Sequence, residues 1–105
     1  MTLEEWFDYY QRKTGEGINK QPDDEGVWSE KYGFFYWSKD NSRLLIKAVC
    51  GDGKYWNLFS DALCISLGLR EKLMFSKRSR KVWERKGWKF VKNINEGNIF
   101  KKVVF

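Results

Sequence analysis

The chain has 105 residues, enough for one core, and with 42% apolar residues, 32% charged residues and one proline it lacks the composition of a disordered segment. Two cysteines without a CxxC spacing and no histidine exclude a Cys/His zinc centre and histidine acid–base catalysis. The net charge of +6 is uneven: residues 1–31 carry eight acidic side chains against four basic ones, and residues 70–92 carry ten basic against two acidic. A basic segment of that density suits phosphates, whether of a nucleotide cofactor or of a nucleic acid, unless it serves only as a solvated face.

Thr2 followed by Glu5 is a capping-box pattern, and Leu3, Trp6, Phe7 and Tyr10 sit at i, i+3, i+4 and i+7, predicting an amphipathic helix over 3–14. Gly15 and Gly17 stop it, and Gln21-Pro22-Asp23-Asp24-Glu25 reads as a surface loop without chemistry of its own. Residues 1–25 are thus a helix and an acidic loop, and 26–105 the sheet-bearing remainder of a single domain. Val27-Trp28, Tyr32 to Trp37 and Leu44 to Cys50 are rich in aromatic and branched residues, with turn residues at Lys39-Asp40-Asn41-Ser42, which predicts an antiparallel meander. Beyond Gly51, the apolar positions Leu58, Phe59, Ala62, Leu63, Ile65 and Leu69 predict a largely buried helix.

Leu73-Met74-Phe75 is a short strand, and Ser79 is the N-cap of a brief helix ending at Lys86 before Gly87. Trp88 to Ile94 and Ile99 to Phe105 are strands joined through Asn95-Glu96-Gly97-Asn98. The expected core is Leu45, Ile46, Val49, Phe59, Leu63, Leu67, Met74, Phe75, Val82, Trp83, Phe90 and Val103. No apolar run approaches the ~18 residues of a membrane span, and free cysteines in a chain without a leader pattern fit a reducing cytoplasm.

Two motifs bear on function. Leu44 to Cys50 runs as a strand into Gly51-Asp52-Gly53-Lys54-Tyr55 at the start of a helix, where outward N–H groups and the helix dipole favour a phosphate. The competing reading is a tight turn that needs glycine for its backbone angles. The second motif is Ser79 to Phe90, with Trp83-Glu84-Arg85-Lys86-Gly87-Trp88 at its centre. It resembles the C-terminal motif of the GCN5-related N-acetyltransferase (GNAT) superfamily, in which a short helix ending aromatic-Glu-Lys-x-Gly-Phe enters a strand. Over residues 32–105 the strand, turn, helix, strand and short helix follow in that family's order.

The resemblance implies a mixed, mostly antiparallel α/β sheet of about six strands flanked by helices, shortened at its N-terminus. It further implies acetyl-CoA or another acyl-CoA lying between two splayed strands. The cofactor's pyrophosphate falls to Gly51, Asp52, Gly53, Lys54 and Tyr55, and its 3′-phosphate to Arg78 or Arg80. An amine on a small molecule or a protein is then the acceptor. The chain departs from the family pattern in carrying Ala48 where the turn usually has Arg or Gln, Ser76 for the Asn before the last helix, and Trp83 for the thiolate-protonating Tyr. Indole does not ionise usefully, and Lys47 stands where a splayed-strand carboxylate could act as base, so no catalytic residue is assigned and acyl transfer would proceed by positioning.

Two other functions use the same residues. Lys77, Arg78, Lys81 and Arg85 fall at spacings that gather phosphate-neutralising charge on one side, the pattern of sequence-nonspecific nucleic-acid binding. A non-catalytic interaction module would instead present aromatics around Trp28, Tyr32 and Trp37.

Overall fold

Helix α1 (Leu3–Thr14) begins at the capping box: Thr2 Oγ1 accepts from the Glu5 N–H at 3.2 Å, and the Glu5 carboxylate accepts from the Thr2 N–H at 2.9 Å. Gly15, at φ 73°, ends it in the left-handed region. The computed structural model describes residues 1–18 and 20–104. Strands β1 (Glu25–Ser29), β2 (Gly33–Asp40) and β3 (Arg43–Gly51) form the meander, with Asn41 at φ 56° turning β2 into β3. Helix α2 (Gly53–Leu67) crosses over to β4 (Glu71–Ser76), which is parallel to β3. Helix α3 (Arg80–Glu84) then leads to the hairpin of β5 (Lys89–Ile94) and β6 (Gly97–Val103). The six strands lie in the order β1-β2-β3-β4-β6-β5, and every pairing but β3–β4 is antiparallel, the mixed α/β sheet expected of the sequence.

Helices cover both faces of the β1–β3 half. On one face α2 packs Trp56 and Cys64 against Phe35, Trp37, Leu44 and Leu69; on the other α1 packs Trp6, Phe7 and Tyr10 against Phe34 and Cys50. In the β4–β6 half, Met74, Trp88 and Phe100 form a third cluster on the α2 side, partly closed by Trp83 and Phe90. The opposite face of that half leaves Phe75 and Val103 exposed. Among the described residues no helix is long and apolar enough to cross a membrane.

Several expectations need correction. Of the twelve residues assigned to the core only Met74 is buried; Ile46, Phe59, Leu63, Trp83 and Phe90 pack partly buried at its edges, and Leu45 and Val82 are half-buried. Val49, Leu67, Phe75 and Val103 are exposed. β3 carries a bulge: Tyr36 pairs with Ala48 and Trp37 with Ile46, so Lys47 is an extra residue, and Val49, opposite Phe35, lies where β3 has parted from β4. The bulge puts Leu44 and Ile46 on the α2 face but Ala48 and Cys50 on the α1 face, breaking the simple alternation. Phe75 and Val103 point to the face that no helix covers.

Helix α2 is not largely buried; it sinks one stripe, Trp56, Ser60 and Cys64, and turns Leu58 and Ile65 to solvent. The aromatic patch does not form either, because Trp37 is 6% exposed in the core and only Trp28 is largely free. Helix α3 stops at Glu84, two residues early, with a turn running to Gly87 at φ 89°. The β5–β6 turn tightens onto Asn95 and Glu96, Gly97 and Asn98 having joined β6. The expected strand end at Phe105 lies outside the described residues.

Candidate functional site

The sheet splits at the bulge. Parallel pairing of β3 with β4 runs from Arg43↔Glu71 to Ile46↔Met74 and stops one residue before Lys47. From there β3 stays with β2 up to Gly51, while Phe75 and Ser76 of β4 stay with β6. The two arms separate, and among the described residues no strand pairs with the β4 side of β3 from Lys47 onward.

The turn into α2 lies at the open end of this split. Gly51 has φ 106°, and a Cβ there would meet the Tyr32 carbonyl oxygen at 2.1 Å; Gly33 opposite, at φ 102°, is equally pinched against Cys50 O. Gly51 is therefore glycine for the backbone. Gly53 differs, since a Cβ there would meet nothing within 4 Å, so its surroundings are open. Asp52 is the N-cap, and its carboxylate accepts from Tyr55 N–H at 3.1 Å. The first intrahelical bond goes to Trp56 N–H, leaving the N–H groups of Gly53 and Lys54 without a partner among the described residues. The turn is pinned from outside: Trp56 Nε1 donates to Tyr32 O at 2.7 Å, and the Tyr32 and Tyr55 rings stack with centroids 3.8 Å apart.

Across the split, Ser76 and Trp83 come together, the indole Nε1 donating to Ser76 Oγ at 2.8 Å, while Trp83 meets Trp88 edge-on at 6.3 Å. Both tryptophans anchor α3 to the sheet. Arg78 lies over the Trp83 ring at 5.9 Å, and Arg80 stacks on Phe90 at 4.0 Å and reaches Glu84 at 3.5 Å. Gly51 to Tyr55 thus form one turn on the β3 arm, and Arg78 and Arg80 belong to the β4 arm. Lys77, one of the four basic residues assigned to nucleic acid, pairs with Glu16 at 3.0 Å.

Two polar features were missed in the sequence. Lys72 of β4 is fully buried, with Nζ 2.8 Å from Asp61, 2.8 Å from Ser60 Oγ and 3.2 Å from Asn57 Oδ1 of α2, beneath the Trp88 ring. Burial pulls its pKa down and the Asp61 hydrogen bond and charge oppose that. A lysine two residues before Met74, on the same face of an otherwise apolar strand, was the available signal. On the α1 face, against the bulge, lies a cavity of about 160 Å³ lined by residues including Tyr10, Glu16, Asp24, Tyr36, Lys47 and Ala48. The loop assigned no chemistry supplies its carboxylate: Asp24 is 5% exposed. Burial raises the pKa of both Tyr10 and Tyr36, keeping these phenols protonated. Gly26 was the sequence signal here, because Tyr36 lies so close over it that a Cβ would overlap the ring at 1.8 Å.

No protein-family model and no curated protein sequence matches the chain. Solved structures do match in fold. An aminoglycoside 6′-acetyltransferase of type Ii aligns at TM-score 0.71 with 12% identity, covering 98% of this chain and 90% of that one. The PaiA N-acetyltransferase of Thermoplasma acidophilum, in complex with coenzyme A, aligns at TM-score 0.61 with 13% identity over 77% of this chain and 61% of its own. The N-acetylglutamate synthase of Neisseria gonorrhoeae, complexed with coenzyme A and N-acetyl-glutamate, aligns at TM-score 0.66 with 9% identity over 98% of this chain and 32% of its own.

Proposed function

From a chain with the GNAT fold, we propose an acyl-CoA-binding N-acyltransferase that transfers an acetyl or related acyl group to an amine. The observation that carries this reading is the split sheet, opening at Lys47 and ending at the unpartnered N–H groups of Gly53 and Lys54. The residues fit a phosphate: two N–H donors and open space above Gly53 lie at a helix N-terminus whose second residue is Lys54. The Asp52 carboxylate accepts from Tyr55 N–H, and its charge is one that Lys54 would have to offset. Along the split, the free edge of β3 offers backbone donors and acceptors to an extended, amide-bearing chain. Arg78 and Arg80 are the candidate partners of a 3′-phosphate on the other arm.

Bound acyl-CoA supplies a thioester carbonyl as electrophile. The protein's part is orientation, with the cofactor arm along β3 and the acceptor brought in from the α1 face of the same strand. Trp83 delivers no proton, since its N–H is held by Ser76. The neighbours complexed with coenzyme A support this reading.

Titration with CoA and acetyl-CoA, followed by amide shifts, tests it. Shifts should concentrate at residues 50–56, and Lys54→Glu, Arg78→Glu and Arg80→Glu should weaken binding at least several-fold. Absence of shifts there at millimolar CoA overturns the proposal. Micromolar duplex-DNA binding at 150 mM salt, lost on reversing Lys77, Arg78, Lys81 and Arg85, would put nucleic acid in its place.

A further inference from the structure

The solvent side of α2 has the composition of a contact. Opposite the buried stripe of Trp56, Ser60 and Cys64 lie Leu58, Ala62 and Ile65, at i, i+4 and i+7, and Leu58 and Ile65 are each 63% exposed. A surface helix ordinarily turns charged side chains to water. In a chain with 32% charged residues, α2 has only two, Lys54 in its first turn and Asp61, whose carboxylate reaches the buried Lys72 at 2.8 Å. Between Tyr55 and Ser66 the outward stripe is therefore apolar and uncharged. Among the described residues, Leu58, Ala62 and Ile65 belong to none of the three apolar clusters.

We infer that this stripe is the contact surface for a second copy of the chain, two α2 helices crossing antiparallel about a two-fold axis through Ala62. Charge and symmetry name the occupant. A net charge of +6 makes two copies repel overall, and an uncharged stripe is where that repulsion costs least. The stripe is also its own complement: with Ala62 on the axis, Leu58 of each copy falls beside Ile65 of the other, the reciprocal pairing that a two-fold contact requires. A foreign partner has no need of such reciprocity. Alanine at the crossing has nothing beyond Cβ to hold the helices apart, so they can approach to the short end of the ~8–10 Å range of packed helices. Size sets the strength: three turns of helix offer on the order of 400 Å² per copy, half the ~800 Å² of a standard stable interface, which places the dimer among the weak, concentration-dependent ones. The contact depends neither on acyl-CoA binding nor on acyl transfer.

Sedimentation velocity on the protein without ligand tests it. The sedimentation coefficient should rise between micromolar and millimolar protein, and Leu58→Lys and Ile65→Lys, both at exposed positions outside the core, should each weaken association tenfold or more. Ala62→Cys, oxidised with diamide, should give a disulfide-linked dimer, because the axis brings its two thiols within bonding reach. Cys50 and Cys64 are buried, so the unaltered protein should give none. Ser66→Cys should not cross-link, since four residues off the axis its two copies lie ~12 Å apart in an antiparallel pair. A protein that stays monomeric at millimolar concentration, association undiminished in both lysine variants, or equal cross-linking of Ala62→Cys and Ser66→Cys overturns the inference. Binding of a monomeric protein to phosphatidylcholine vesicles that Leu58→Lys abolishes also overturns it, and would make the stripe a lipid-docking surface.

Discussion

The two arms of the split sheet are stabilised in different ways. The β1–β3 arm is sandwiched, with Phe34 and Phe35 on opposite faces at 0% and 1% exposure under α1 and α2. The β4–β6 arm has one covered face, where a buried lysine stands among Met74, Trp88 and Phe100, and one bare face carrying Phe75 at 50% exposure. A cleft between a rigid arm and a thinly covered one lets the cover of the second adjust while the first holds the α2 turn in place. Phe35→Ala should cost about 3–5 kcal/mol, as for a fully buried aromatic, and Phe75→Ala about 1 kcal/mol, because half its surface already meets water. Urea unfolding of the two variants checks this, and equal losses would mean that the bare face is covered in solution.

Lys72 sharpens the contrast, since it ties the β4 arm to α2. Asp61→Asn replaces the carboxylate facing the buried ammonium by a neutral acceptor, and should destabilise by about 3 kcal/mol. The double variant, Lys72→Met with Asp61→Asn, removes both charges together with their desolvation cost and should be near neutral, while Lys72→Met alone leaves a carboxylate whose side chain is 31% exposed and should fall between the two. A double variant as damaging as Asp61→Asn would show that the ion pair is a net source of stability.

The glycines of the α2 turn separate backbone need from ligand access. Gly51→Ala puts a methyl 2.1 Å from Tyr32 O at φ 106° and should cost about 2 kcal/mol. Gly53→Ala enters open space at the first position of α2 and should leave stability within about 0.5 kcal/mol, while crowding a phosphate at its N–H. Thermal melts and CoA affinity, measured on both, should therefore rank the two variants in opposite orders.

Much of this architecture was legible in the chain. The α1 limits follow from a local code, the capping box and Gly15, and the element order from period and turn residues. Bulges are not local. Nothing in Leu44 to Cys50 announces that Lys47 is an extra residue, because the partner strand decides it. The turn at Gly51 to Tyr55 was visible as a motif, although only the structure separates the roles of its two glycines. Asp24 was read as solvent-exposed because a polar loop usually is; its burial comes from the fold of the loop over Tyr10 and Tyr36, a long-range contact without a sequence period.

The smallest expected effect lies at the outer edge of the sandwiched arm. Glu5 is held below its ordinary pKa of 4.5, first by the Thr2 N–H and then by the Thr2 hydroxyl. A carboxylate with a depressed folded pKa stabilises fully above its unfolded value, and the contribution disappears as pH falls through the folded one. The cap should therefore be intact at neutral pH and weaken below about pH 4.5. Thr2→Ala should cost about 1 kcal/mol at pH 7, and Glu5→Gln should flatten that acid-side fall in melting temperature.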